Sequence, residues 1–280
     1  MARQVGFLGR RNLIKIIGLS GVGYAASVAC STQKSAVTET STSIKASSPS
    51  PTAPVTNVQA RPETSKMTPD EALALLMEGN QRYVEGKTVH PREDLATIRK
   101  TASDQFPFAA FLSCADSRVP VEKVFDQGVG DCFVTRVAGN VATPELIGSL
   151  EFGTEVLGSK VLMVIGHERC GAIVASQGRL DPPLTKDQLG SIPTLVPYVT
   201  PAIKEIEKIK NTPSAKPLVD SDGQFSDLEA TTKLNVMNQV AKLKQSPVLS
   251  RLIKQGKLKI VGAYYDLDTG KVTLINDKVA

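Results

Sequence analysis

Residues 106–118 read FPFAAFLSCADSR, an apolar run that ends in a polar cluster. The run from Phe106 to Ala115 has the length and unbroken hydrophobicity expected of a strand buried on both faces. Cys114 stands at the carboxyl end of that strand, and Asp116 and Arg118 follow it in a loop. Because open α/β sheets bind ligands beyond the carboxyl ends of their strands, this stretch indicates both a fold class and the place of a site.

Further apolar runs alternate with helix patterns along the chain. Thr68, Pro69 and Glu71 have the composition of a capped helix start, and Thr143 is expected to cap a helix that runs toward Leu157. Another helix is predicted around residues 229–243, and strands are predicted over residues 132–138, 160–166, 258–265 and 271–275. The alternation predicts an α/β domain with a mostly parallel β-sheet flanked by helices. The proline-broken stretch 180–226 is expected to form helical excursions at an interface.

A second polar cluster, GHERCG at residues 166–171, follows the predicted strand 160–166. With Cys114, its His167 and Cys170 supply two thiolates and an imidazole, which form a zinc-binding set. Three protein ligands leave the fourth tetrahedral position open to water, as in catalytic zinc sites. Each residue alone is more often packing than a ligand, but their joint placement after two strands favours a metal site.

The other histidine and one further cysteine lack such a context. Cys132 is predicted to be a lone buried thiol. His90 lies in a polar stretch before Pro91 and is predicted to be a surface residue.

These clusters resemble the signature of the β-carbonic anhydrase family, Cys-x-Asp-x-Arg followed at a distance by His-x-x-Cys. Other blocks are similar to the family in the same order, namely residues 79–83, 111–120, 133–140, 165–171 and 262–266. The resemblance covers residues 66–280 apart from the proline-broken stretch. It implies a parallel α/β sheet, a Zn²⁺ cofactor, and an obligate homodimer or a homotetramer with active sites near the subunit interface.

Residue by residue, the resemblance implies zinc ligation by Cys114, His167 and Cys170 and a catalytic dyad of Asp116 and Arg118. The dyad would pair through a planar guanidinium and keep the carboxylate ionised and turned away from the metal. The alternative is a structural salt bridge on a loop, and the position of the pair at the end of a strand argues against it.

Two more residues resemble members of the family's substrate pocket. Gln105 stands nine residues before Cys114, and Phe152 stands where a pocket aromatic occurs. Without the resemblance, Gln105 would be a loop residue and Phe152 a core residue. The chain has no tryptophan, so the tryptophan of the bicarbonate-inhibited branch of the family is missing.

The expected activity is the reversible hydration of carbon dioxide to bicarbonate and a proton. Zinc lowers the pKa of its bound water from about 15.7 toward neutrality, which gives a hydroxide that attacks carbon dioxide. A related hydrolase acting on carbon disulfide or carbonyl sulfide would need the same site. A non-catalytic zinc-binding protein, in which Asp116 closes the fourth position, is the remaining alternative.

Residues 1–30 are typical of an export signal. Arg10 and Arg11 resemble a twin-arginine signal, and a short apolar run follows them. Residues 27–30, SVAC, resemble a lipobox in which Cys30 would be acylated. We therefore expect a periplasmic or membrane-anchored lipoprotein, held to the membrane through its N-terminal lipid.

Residues 31–65 are expected to form a disordered tether between this signal and the enzyme domain at 66–280. They hold 19 Ser, Thr or Pro among 35 residues, too little apolar surface to offset the entropy cost of ordering. Four of the chain's basic residues lie before residue 30, where there is no acid, so the net charge of +5 falls to +1 beyond it. That balance argues against a nucleic-acid partner.

Overall fold

The computed structural model describes residues 63–177, 194–211 and 227–275. Its strands are β1 (Ala109–Ser113), β2 (Cys132–Arg136), β3 (Val161–His167), β4 (Lys259–Tyr265) and β5 (Val272–Ile275). Its α-helices are α1 (Pro69–Val84), α2 (Leu95–Lys100), α3 (Val121–Val124), α4 (Pro144–Glu151), α5 (Gly171–Ser176), α6 (Val196–Lys210), α7 (Asp227–Lys244) and α8 (Pro247–Lys254).

The strands form one sheet in the order β2-β1-β3-β4-β5. The first four run parallel, and β5 pairs antiparallel with β4 at the edge. The predicted fold class, a mostly parallel sheet flanked by helices, is confirmed. The first strand is shorter than predicted: Pro107 has no amide hydrogen to donate to a ladder, and regular pairing starts at Ala109.

The sheet is buried on both faces because helices cover each side. Every residue of β1 and of β3 is buried. Phe111 and Met163 belong to the apolar cluster on one face, whereas Leu112 and Val164 belong to the cluster on the other. Each such side chain contributes about 1.5–3 kcal/mol on full burial, so the central strands hold the domain together.

The start of α1 has the predicted capping box. Thr68 Oγ1 accepts from the amide of Glu71, and the Glu71 carboxylate accepts from the amide of Thr68.

The expectation for Thr143 is only half right. It occupies the N-cap position of α4, but its side chain makes no capping hydrogen bond, and α4 gives way to a π-helical turn at Phe152–Val156.

The carboxyl-terminal helices differ from the sequence expectation in one respect. The predicted helix around residues 229–243 is confirmed as α7, but α8 was not predicted. Ser246 caps α8 and Pro247 occupies its first turn, a start signal that the sequence does carry. Of the proline-broken stretch, α6 is helical as expected, and residues 178–193 and 212–226 lie outside the described residues.

The amino-terminal predictions lie almost wholly outside the described residues. The signal, Cys30 and most of the tether belong to residues 1–62. The last tether residues differ from the expectation, because Thr64 is buried and its hydroxyl donates to the Phe106 carbonyl. Among the described helices, none has the length and hydropathy needed to cross a membrane.

Candidate metal centre

Three side chains that could hold a metal ion meet at the carboxyl ends of the parallel strands. Cys114 directly follows β1, His167 is the last residue of β3, and Cys170 immediately precedes α5. Because β1 and β3 are parallel neighbours, their carboxyl ends lie side by side. One donor atom from each residue lies within 4.8 Å of the others, and the two sulfur atoms are 3.9 Å apart.

A tight turn carries the chain from His167 to Cys170. Arg169 adopts a left-handed backbone with φ 49°, which reverses the chain within a few residues. The amide of Glu168 donates to the Tyr265 carbonyl, which fastens the turn to β4. Cys170 then occupies the N-cap position of α5.

The imidazole of His167 presents a free nitrogen to this group. Its Nδ1 lies 2.9 Å from the Glu168 carbonyl oxygen. Since a carbonyl can only accept, Nδ1 carries the proton and Nε2 keeps a lone pair. Nε2 is fully buried and has no hydrogen-bond partner among the described residues. A buried nitrogen without a hydrogen-bond partner lowers the free energy of unfolding by about 1–3 kcal/mol, and ligation of a metal ion would offset that loss.

The two thiols also fit a divalent cation. The sulfur atoms of Cys114 and Cys170 share a hydrogen bond, and this bond is the main reason that the pKa of Cys114 is lowered. The same bond, together with burial, raises the pKa of Cys170. Without a cation only one of the pair therefore ionises easily. Zinc would stabilise both thiolates at once.

Asp116 and Arg118 form a forked ion pair beside the ligands. Arg118 Nε donates to Asp116 Oδ1 at 2.9 Å, and Nη2 donates to Oδ2 at 2.7 Å. These bonds lower the pKa of Asp116 to about 2. Oδ2 also lies 3.8 Å from His167 Nε2, so an ionised carboxylate faces the metal position.

Arg136 is a site residue that the sequence reasoning did not single out. Its Nε donates to the Cys114 carbonyl at 3.0 Å, and its Nη2 donates to the Asp116 carbonyl at 2.5 Å. It lies at the end of β2, which places it next to the loop after β1. The available signal was its place in the block 133–140. It fixes the backbone that carries a ligand and the carboxylate.

A single chain does not bring Gln105 to the ligands. Gln105 is exposed and precedes β1, whereas Cys114 follows it. The strand alone spans about 13 Å at the rise of a parallel strand, so Gln105 and Cys114 lie beyond opposite ends of β1. The predicted pocket role of Gln105 would require a second chain.

Phe152 is likewise away from the ligands in its own chain. It is 46% exposed, so the alternative of a plain core residue is wrong. Its ring contacts Phe133, with centroids 6.2 Å apart, near the start of β2. Its pocket role remains a prediction that depends on a neighbouring subunit.

The two residues excluded from the site are indeed separate from it. His90 is on the surface as predicted, where Nε2 lies 3.0 Å from the Thr88 hydroxyl. Cys132 is a free thiol at the start of β2, and it is partly exposed rather than fully buried.

Comparisons with known proteins agree with this geometry. The family model for carbonic anhydrase matches residues 109–272. Carbonic anhydrase 2 of Mycobacterium tuberculosis is 34% identical over 207 residues, which cover 74% of this chain and 92% of that protein. The carbonic anhydrase of Mycolicibacterium smegmatis is 32% identical and is covered over 93% of its length.

Solved structures give the same fold. Tetrameric β-carbonic anhydrases of Sordaria macrospora align with a TM-score of 0.53 at 20% identity, covering 73% of this chain and 96% of theirs. A β-carbonic anhydrase of Aspergillus fumigatus aligns with a TM-score of 0.52 at 21% identity, covering 75% and 91%. The chain belongs to the carbonic anhydrase family, and its fold is that of the β-class enzymes. The resemblance seen in the sequence is thereby confirmed.

Proposed function

We propose that this chain catalyses the reversible hydration of carbon dioxide to bicarbonate and a proton, with zinc held by Cys114, His167 and Cys170. One observation carries the proposal: three buried ligand atoms lie within 4.8 Å of one another beside an ionised carboxylate. When bound, zinc supplies an acidified water that is nucleophilic near neutral pH.

Asp116 would orient that water. Its carboxylate is ionised at neutral pH and can only accept a hydrogen bond, so it would hold the attacking oxygen by one of its protons. Arg118 engages both carboxylate oxygens, which prevents Asp116 from turning onto the metal. The other proton of the water would leave to solvent before the attack, so that hydroxide and carbon dioxide combine to bicarbonate and one proton is released in each turnover.

Proton release measured by stopped flow tests this function directly. The zinc-loaded full chain should acidify a buffered indicator when mixed with carbon dioxide, and the same chain stripped with a chelator should not. Carbon disulfide and carbonyl sulfide, assayed by sulfide release, form the comparison arm. Sulfide release without carbon dioxide hydration would indicate a hydrolase, and zinc binding without either reaction would indicate a non-catalytic protein.

We also propose that the enzyme assembles as a homodimer or homotetramer, since the related Sordaria macrospora enzymes are tetrameric. A second copy could bring Gln105 and Phe152 to the ligands of its neighbour. Light scattering would give the mass. Mixing an inactive Cys114→Ser chain with an inactive Gln105→Ala chain would restore part of the activity if the pocket is shared, and none if it is not.

Finally, we propose export of the enzyme and its attachment to a membrane. The support is sequence alone: the Arg10 and Arg11 pair and the small residues before Cys30. Replacing Arg10 and Arg11 by lysines should retain active enzyme in the cytoplasm, and Cys30→Ser should release it from membranes. Export and membrane retention that survive both changes would contradict the proposal.

A further inference from the structure

We propose that Asn235 and Gln239 of α7 are positioning residues for the ligand Cys114, and that they act through the backbone of Gly139. The inference rests on the proposed zinc site. Helix α7 does not contact the Cys114 sulfur through these residues. It holds the turn at Gly139, and that turn contacts the sulfur.

Gly139 links the helix to the sulfur. Its amide donates to Cys114 Sγ at 3.3 Å, and its carbonyl accepts from Asn235 Nδ2 at 2.9 Å. Gly139 has a left-handed backbone with φ 72° in a short 3₁₀ turn, Ala138–Asn140. Because glycine has wide conformational freedom, the direction of this amide depends on the hydrogen bonds that hold the rest of the turn.

Gln239, one helical turn after Asn235, holds the same turn at a second point. Its Nε2 donates to Asn235 Oδ1 at 3.1 Å, and its Oε1 accepts from the amide of Ala142 at 2.9 Å. The two amide side chains therefore fasten the backbone of the turn at two points, a carbonyl and an amide. Residues four apart on a helix lie on one face, which lets them act together.

Burying the two amide side chains of Asn235 and Gln239 costs desolvation free energy, so their presence in the core calls for a reason. Asn235 is 0% exposed and Gln239 is 4% exposed. Their neighbours Val236, Val240 and Leu243 are buried apolar residues of the same helix. Apolar side chains would pack there without the desolvation of two amides, so the polar pair indicates a requirement for a fixed turn.

A fixed turn matters at Cys114, because the Gly139 amide of that turn donates to the Cys114 sulfur. An amide that donates to a thiolate orients the sulfur and delocalises its charge. Loss of such an outer partner typically weakens metal affinity by about 10–100-fold. Asn235→Ala removes the donor to the Gly139 carbonyl, so the turn that aims the Gly139 amide at the sulfur is no longer held. We therefore expect this variant to weaken zinc binding by about 10-fold or more.

The test uses the full chain, with zinc affinity measured by chelator competition. Cobalt substitution adds a spectroscopic measurement, the thiolate-to-cobalt absorption band. Asn235→Ala should weaken zinc binding and shift that band. Val240→Ala removes buried volume from the same helix but no hydrogen bond to the turn, so it should lower the melting temperature and leave affinity and band unchanged. If Asn235→Ala does not fold, Gln239→Leu, which keeps the volume, provides the same test.

The possible outcomes are separable. Variants at 235 and 239 that match a zinc-binding wild type in affinity and in the cobalt band would overturn this inference alone. The same would hold if Val240→Ala changed the band as much as Asn235→Ala. A wild-type chain that binds no zinc would overturn the proposed function and this inference with it.

Discussion

The Asp116 carboxylate lies 3.8 Å from Nε2 of His167, while both of its oxygens accept hydrogen bonds from Arg118. One group thus touches the metal position on one side and a fixed cation on the other. If zinc binds as proposed, Asp116 would face a water on the metal without itself being a ligand, whereas carboxylates in metalloenzymes often ligate the metal.

Replacing Asp116 by asparagine tests the role of that carboxylate. Asp116→Asn has nearly the same shape, so zinc content should stay near one per chain. Loss of the ionised acceptor should lower carbon dioxide hydration by about 100-fold or more, the usual contribution of a positioned proton acceptor. Full activity in a zinc-loaded variant would make Asp116 a structural residue.

Removing Arg118 should release Asp116 toward the metal. We expect Arg118→Ala to reduce hydration strongly and to change the cobalt spectrum as a carboxylate oxygen enters the coordination sphere. Arg118→Lys should rescue little, because lysine cannot make the forked contact. Arg251→Ala is the matched control, since Arg251 is a similarly exposed arginine paired with Glu155. An unchanged spectrum in Arg118→Ala would contradict the restraining role.

The three cysteines of the described domain offer an internal control for zinc binding. Cys114→Ser and Cys170→Ser should each lose most of the metal, because a serine hydroxyl is a poor zinc ligand at neutral pH. Cys132→Ser should keep it, since Cys132 lies at the start of β2, at the opposite edge of the sheet from the ligands. Elemental analysis after dialysis decides the matter, and equal zinc in all three variants would remove the ligand assignment.

Two helical glycines should respond oppositely to alanine. A Cβ at Gly79 would lie 1.8 Å from the Phe125 carbonyl oxygen, so α1 would have to move. Gly79→Ala should therefore destabilise the protein by about 1–3 kcal/mol or more. A Cβ at Gly148 meets nothing within 4 Å, and Gly148→Ala should add up to about 1 kcal/mol through helix propensity. Denaturant titration measures both, and shifts in the same direction would contradict the packing argument.

The capping box of α1 predicts a pH dependence. Hydrogen bonds from Thr68 lower the pKa of Glu71 below its usual 4.5. A carboxyl with a lowered folded pKa stabilises the protein above its unfolded pKa, and the effect is lost as the pH falls through the folded value. The melting temperature of the wild type relative to Glu71→Gln should therefore be highest near neutral pH and decline below 4.5. A difference independent of pH would show that the charge contributes nothing.

The sheet and the ligand set were predictable from the sequence for one physical reason. β1 and β3 are buried on both faces, so their sequences are unbroken apolar runs that are easy to recognise. Ligands at the ends of two such strands meet because parallel neighbours end at one edge. The sequence alone therefore suffices to place Cys114 and His167 together.

Other features depend on contacts that the sequence does not display. Arg136 binds the backbone carbonyls of Cys114 and Asp116, and although it stands in the block 133–140, its residue type alone does not reveal that contact. The spacing of Gln105 from Cys114 fixes their separation along a strand but does not say whose site the glutamine enters. Within the π-helical turn at Phe152–Val156, Gly153 packs so closely on Phe133 that a Cβ would lie 2.6 Å from its ring, a contact between distant residues that the sequence does not display.

The pairing of β1 with β3 places Ser113 opposite Ile165, one residue before Cys114 and two before His167. A slip of one residue between these strands would move the sulfur and the imidazole apart by about 3.3 Å and turn one strand's side chains to the wrong face. Full-affinity metal binding at the proposed site would therefore require β1 and β3 to be paired in this register. If zinc binds as proposed, the metal content of a preparation would therefore report the fraction of molecules in which β1 and β3 are aligned in this register.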